Sequence, residues 1–492
     1  MSLQSLGAVV TLEAELDGSG SGWTNITQDV NMGVEDIVCE YGIKGGGPMD
    51  RVAGIGTLSW AMNNSDHLGR VEGQYTPGHT NARSGWEIGI IVRLSIYFNN
   101  VTYYKFRGTL VQIDPDVGIK GRRSVHCVAE DWIGEAVNGF VRDVDVQTAK
   151  RGDQLITTVV DASTRRQPAA TSYETGQSTF AYALDNVRDE RTQTLRVCAD
   201  ITMAEVGYFY IKGDTTQGGT LKWEDRHARP KATLAATFNE NMIDMAVSRA
   251  RDNIYNHINV VVHPRAIDAA ATTVLYTIAG TETNPKILAG EVLALTVFFK
   301  DAIGRFVRVG GSDLVTPVAS TDYVANAQAD GGDADMTSDL ALVFTSTSNS
   351  ATFAFTNNHA SDTAFLTTLQ VRGKAVQDRY DISVFKHDTD SEDSFGERDI
   401  TYDMVFEDKA EIAGGICDWF LSLYGAIRMV LDRGTIRSSK NATLLLQGLA
   451  REPGDKIAVK EAMSGVDTNY FINGVNFTIR AGGVMTTSWV LA

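Results

Sequence analysis

Histidine, cysteine and carboxylate side chains are the groups in this sequence that could hold a metal or move a proton. A zinc hydrolase needs two histidines on one helical face with a glutamate between them, as in HExxH, so that both rings meet one ion. The eight histidines, at 67, 79, 126, 227, 257, 263, 359 and 387, form neither HExxH nor HxH. His257 and His263 flank one candidate strand, an even number of residues apart, and so can share a face. With no carboxylate signature beside them, a structural role is expected. Cys39, Cys127, Cys198 and Cys417 lie far apart without CxxC spacing, which predicts buried free thiols rather than a metal ribbon or redox pair.

Other chemistry fares no better. The chain has no GxSxG nucleophile elbow and no P-loop; "GIKGGGP" at 42–48 lacks the GK[ST] ending and reads as a loop. Adjacent carboxylates such as Glu130 with Asp131 and Glu224 with Asp225 are expected on solvated surfaces in a chain with 61 acidic residues. "RGD" at Arg151–Asp153 precedes an apparent helix, where Asp153 suits an N-cap. No catalytic, cofactor-binding or metal-binding residue is assigned, no cofactor is expected, and the chain reads as a non-enzyme.

Charged residues, a histidine and a cysteine fall within thirty positions in "YKFRGTLVQIDPDVGIKGRRSVHCVAEDW", Tyr104 to Trp132. A β-hairpin accounts for all of it. Val125, Cys127 and Ala129 share one face and His126 points to the other. Asp114, Asp116 and Lys120 are placed in the connecting turn, and Gly108 marks a bend or a close backbone approach.

The elements that would position these residues are mostly strands. Val10, Leu12, Ala14 and Leu16 alternate with polar residues, as do Val92, Leu94, Ile96 and Phe98. From about 131 the pattern changes: Leu155, Ile156, Val159 and Val160 have helical spacing, and "EVGYFYIKGD" with "TLKWEDR" predicts a second hairpin. "NHINVVVHP" reads as a buried strand. From Ala266 to about Gln377 charge thins, and "EVLALTVFF", "RFVRVGG", "SATFAFTNN" and "FLTTLQVRG" predict an inserted β-sandwich with an acidic loop at "NAQADGGDADMTSD". The last hundred residues hold the clearest helix, where Ile412, Ile416 and Phe420 recur every four residues with Ala413, Cys417 and Leu423, ending at Gly425. Strands are predicted after it in "AIRMVLDR", "ATLLLQG", "NYFINGVNFTIR" and "VMTTSWVLA". The expected class is mainly β with α+β parts, divided at residues 1–145, 146–265, 266–390 and 391–492.

Composition narrows the function. With 43% hydrophobic and 21% charged residues the chain is an ordinary folded protein, and 46 glycines against nine prolines suit many tight turns. The net charge of −17 argues against nucleic-acid binding, which neutralises phosphates with clustered Lys and Arg. Basic residues at Lys120, Arg122 and Arg123, and at Arg188 and Arg191, are interrupted by acidic ones. The opening "MSLQSLGAVV" lacks the basic and apolar regions of a signal peptide, and no stretch approaches the ~20 apolar residues that span a bilayer.

Taken in order, "DRVAGIGTLSWAMNNSD", "GQYTPGH", "VRLSIYF", "YKFRGTLVQID" and "VHCVAEDW" resemble the tail-tip or baseplate hub proteins of long-tailed bacteriophages. So do the later "EVGYFYIKGD" and "GGTLKWEDR" hairpin, "STDYVANAQADGGD", "FLTTLQVRGKAV", "DSFGERDITYDM" and "AGGICDWFLSLYGAIRMVLD". Each motif is weak alone, and together they cover roughly residues 5 to 490. The resemblance implies tube-type β-barrel hub domains: a first barrel at 1–145, an α+β hub domain at 146–265 and a C-terminal hub domain at 391–492, while the inserted β-sandwich at 266–390 departs from a minimal hub as a decoration.

It further implies a structural virion protein, a homotrimeric ring that adapts the six-fold tail tube to a three-fold tip and conducts DNA. Its partners would be copies of itself, a hexameric distal tail or tube protein, the C-terminus of the tape-measure protein and the spike or fibre proteins of the tip. Genomic DNA would pass the lumen without specific binding, because an acidic wall does not hold phosphates. Its place would be the distal end of the tail, after assembly in the bacterial cytoplasm. Two other readings compete. A receptor- or carbohydrate-binding tail protein would need an exposed aromatic cluster, yet residues 266–390 contain no tryptophan. A tail-associated cell-wall hydrolase would need a carboxylate pair or metal in a cleft.

Overall fold

The computed structural model describes residues 2–3, 6–18, 22–66, 71–117, 123–187, 191–278, 284–300, 309–378 and 380–492. His67, Lys120, Arg122, Arg188 and most of "RFVRVGG" lie outside them.

The alternating segments form strands with the expected faces inward. In Ala8–Glu15, Val10, Leu12 and Ala14 are buried, and in Ile91–Phe98 so are Val92, Leu94, Ile96 and Phe98. The polar stretch is a hairpin of Val101–Pro115 antiparallel to Ser124–Glu130, with Val125, Cys127 and Ala129 fully buried. Gly108 lies within the first of these strands, where an added Cβ would sit 2.1 Å from the Glu130 carbonyl oxygen. Asp114 falls in the strand, opposite His126, and not in the turn as expected.

These strands belong to one fourteen-stranded sheet. From the N-terminal half it runs through Thr57–Asn63 and Ile37–Gly42, then into Val466–Arg480, Val484–Leu491, Val430–Ile436 and Asp244–Ser248. The expected tube-type barrels do not close: the path has two ends, at Ser2–Leu3 and Asp244–Ser248. The free edge of Ile37–Gly42, which could have closed the N-terminal strands on themselves, is taken by Val466–Arg480 over the register Ile37↔Ile479 to Gly42↔Gly474. One hydrophobic core runs beneath both halves, including Trp60, Phe106, Phe477 and Trp489.

Three further cores complete the molecule. One joins helices α1 (Trp132–Asn138), α2 (Gly152–Asp161) and α3 (Thr194–Ala204) to the hairpin Tyr208–Lys212 with Thr220–Glu224. The helical spacing of 155, 156, 159 and 160 is borne out, as all four are buried. Helix α4 (Ala228–Lys231) is a single turn. The inserted region packs a six-stranded sheet centred on Ala364–Asp378 against a three-stranded one, Val292–Phe298, Ser350–Asn357 and Leu340–Ser346, over a shared core.

The fourth core lies under a three-stranded sheet, Ile382–His387, His257–Val262 and Asp399–Met404, covered by α6 (Ala410–Tyr424); α5 (Thr389–Phe395) connects the first of these strands to the last. In α6, Ala413, Ile416, Cys417 and Phe420 are buried as predicted; Leu423 is 41% exposed, and Tyr424 takes the inward position. The predicted strand "ATLLLQG" is instead helix α7 (Ala442–Ala450). Asn441 caps it by accepting from Leu444 N at 2.8 Å, and Leu444, Leu445, Gly448 and Leu449 form a helical buried face. No helix among the described residues is long and apolar enough to cross a membrane.

Candidate functional site

The fold engages the histidines in ion pairs and turns. His257 and His387 face each other across neighbouring strands, ring centroids 5.9 Å apart, and both reach Glu392, at 3.4 and 2.9 Å. At the other end of the central strand His263 lies between Asp381 (2.8 Å) and Asp403 (2.5 Å). Ile258, Val260 and Val262 point into the core, so His257 and His263 share the open face, as their spacing requires. The Asp403 and Glu392 hydrogen bonds raise His263 and His387 above the usual imidazole range. His126 pairs with Glu35 at 2.6 Å, while the His79 and His359 rings accept from backbone amides of their own turns. Among the described residues no three His, Cys, Asp or Glu side chains converge as metal ligands. All four cysteines are free and buried, and burial pushes their thiols up, away from reactive thiolate.

The remaining sequence candidates also have structural partners. Asp131 caps α1 by accepting from Ile133 N at 3.0 Å. Glu224 accepts from the Tyr210 hydroxyl (2.7 Å) and Arg229 Nε (3.2 Å). The RGD triplet does begin a helix, but Arg151 holds the N-cap position and Asp153 lies inside the first turn. The two side chains form a bidentate pair at 3.0 and 2.9 Å at the helix start, where Asp153 Oδ1 also accepts from Gly176 N at 3.0 Å. In "GIKGGGP" a Cβ on Gly46 would stand 2.3 Å from the Leu491 carbonyl oxygen, so a close backbone approach explains that glycine.

Sequence reading missed the charges that are buried between distant segments. Lys105, fully buried in the long hairpin strand, pairs with Glu452 and donates to the Leu449 carbonyl at 3.0 Å. Glu452 Oε2 also accepts from the Tyr41 hydroxyl and Gly213 N, both at 2.9 Å. One carboxylate therefore ties together the N-terminal strands, the second hairpin and the α7 region. Arg51, 1% exposed, donates to the Pro48 and Val206 carbonyls and lies 4.8 Å over the Tyr208 ring and 5.5 Å over Trp419. Arg265 and Asp185, both buried, pair at 2.9 Å. The only local hint of these contacts is a charge standing in an apolar stretch, such as Lys105 beside Phe106. Chemically the arrangement holds separate segments in register; it does not place a nucleophile against a base.

No protein-family model and no curated protein sequence matches the chain. Two solved structures match it over nearly its whole length. The tail protein from Neisseria meningitidis MC58 aligns with a TM-score of 0.50 and 9% identity, covering 98% of this chain and 96% of its own. The 43 kDa tail protein of prophage MuSo2 from Shewanella oneidensis aligns with a TM-score of 0.50 and 10% identity, covering 99% and 98%. At such identity the likeness is one of fold: this chain has the mainly β, multi-sheet architecture of these tail proteins.

Proposed function

We propose that the chain is a structural protein of a bacteriophage tail, a non-enzymatic hub at the distal end of the tube. The observation that carries this is the end-to-end likeness to two tail proteins, which spans all four hydrophobic cores. In this reading three copies form a ring whose repeated β units meet a six-fold tube on one side and a three-fold spike or fibre on the other. A ring is a closed heterologous assembly, so each copy buries a large surface against the next. The division at 1–145, 146–265, 266–390 and 391–492 belongs to the same proposal, with the third unit a decoration on the hub. The channel would be plugged before infection and pass DNA afterwards, with the tape-measure C-terminus among the neighbours of the ring. The net charge of −17 supports a lumen richer in Asp and Glu than in Lys and Arg, past which DNA slides without sticking.

Imaging of intact particles and of the purified chain tests this. The expected result is a three-fold ring with a central hole on the tail axis, walled by carboxylates. A peripheral position in the particle, or a channel wall dominated by Lys and Arg, overturns it.

A further inference from the structure

The three-stranded sheet of the inserted region, Val292–Phe298, Ser350–Asn357 and Leu340–Ser346, contains no charged residue. In a chain with 21% charged residues its outer face is unusual, and Val292 and Val343 stand 62% and 66% exposed on it. Leu340–Ser346 is an edge strand, paired on one side only among the described residues. Its seven residues run in register without a bulge. Soluble proteins blunt exposed edges with charge, proline or a bulge, and this edge has none of the three.

The backbone of the edge is turned outward. Asn358 N donates to the Asp339 carbonyl at 2.9 Å and Thr347 N to the Ser350 carbonyl at 2.8 Å, which fixes the antiparallel alternation. Ala341, Val343 and Thr345 therefore bond to the neighbouring strand, while Leu340, Leu342, Phe344 and Ser346 aim N–H and C=O at the open side. Leu342 and Phe344 are only partly buried at the rim of the shared core.

We propose that this edge pairs with the same edge of a second copy of the chain, antiparallel about a two-fold axis at Val343. That register overlaps all seven residues and sets outward-bonding positions opposite each other. Leu342 meets Phe344 on the core side, Ala341 meets Thr345 on the outer face, and Val343 meets its own copy. Two cores thus join at their rims with no charge inside the contact, and two three-stranded sheets become one of six strands. The pairing does not rest on the hub reading, because a two-fold contact cannot close a three-fold ring.

Size and charge make the contact weak. The edge is about 24 Å long and about 10 Å thick, so roughly 240 Å² per copy meets, against about 800 Å² in a stable complex. Carboxylates flank the strand at both ends: Asp339 at one, and Asp143 and Asp145 with Arg142 at the other, where Ser348 N bonds the Val144 carbonyl at 2.9 Å. The pair brings these two ends together, so salt should strengthen it, unlike an ion-paired interface.

Sedimentation of the full chain from micromolar to near-millimolar concentration tests this. A reversible association is expected that Val343→Lys and Val343→Glu each remove, because like charges then face each other on the axis. An equimolar mixture of the two variants should restore it, which also shows that both are folded. Under mild oxidation Val343→Cys should form a disulfide-linked dimer, since its copy lies about 4.5 Å away between Cα atoms. Thr345→Cys, about 14 Å from its copy, should not. No association at near-millimolar concentration, association untouched by either charge, no restoration in the mixture, weakening by salt, or equal cross-linking at 343 and 345 overturns the proposal.

Discussion

Asp131 and Glu407 each use one carboxylate oxygen and bury the other. Asp131 Oδ1 caps α1 while Oδ2 has no partner; Glu407 Oε1 accepts from Asp408 N and Lys409 N at 3.1 Å while Oε2 has none. Burial, more than the neighbouring charges, raises both to about 7. A proton on the idle oxygen costs less there than a buried charge. In the unfolded chain both ionise near about 4. Their contribution to stability is therefore complete below about pH 4 and is lost as the pH rises through about 7, at about 1.4 kcal/mol per unit for each group between those limits. Thermal unfolding followed from pH 5 to 7.5 should show a falling midpoint, and Asp131→Asn with Glu407→Gln should flatten the fall. An unchanged slope in the double variant rules this out. The sequence shows Asp131 only as one of many acids, because burial of its second oxygen depends on the residues folded over it.

Helix α7 shows what local pattern can and cannot tell. "ATLLLQG" is a short apolar run, which suits a buried strand as well as about two turns of a buried helix. The deciding residue lies just before it: Asn441 satisfies the amide of Leu444 at 2.8 Å. Asn441→Ala should lower stability by about 1 kcal/mol, read as a shift of the urea midpoint, while Asn441→Asp should hold it. Equal loss in both variants would assign the effect to something other than the cap. Longer elements were legible because their period repeats. Ile416 and Phe420 of α6 and the alternating Val92 to Phe98 each mark a buried face several times over. Leu423 was misplaced because the last turn of α6 presents Tyr424 to the core in its stead.

Across the whole molecule, Lys105 and Glu452 couple segments 347 positions apart. Removing one partner strands the other charge in a buried site. Lys105→Met alone should cost about 3–5 kcal/mol, and adding Glu452→Gln should recover part of it. Urea unfolding of the two single variants and the double one measures the coupling, and strictly additive losses would show that the pair does not act as a unit. The mainly β class, the inward faces of the strands, α6 and the buried free cysteines could be read from residue order alone, since alternation and helical spacing are properties of neighbours in the chain. The open fourteen-stranded sheet could not, because Ile37–Gly42 can offer its edge either to nearby strands or to Val466–Arg480 without any change in its own pattern. Nor could Arg51 over Tyr208, or Glu452 shared by three segments. Those contacts exist only where remote parts of the backbone meet, and their energy leaves no periodic trace in either part.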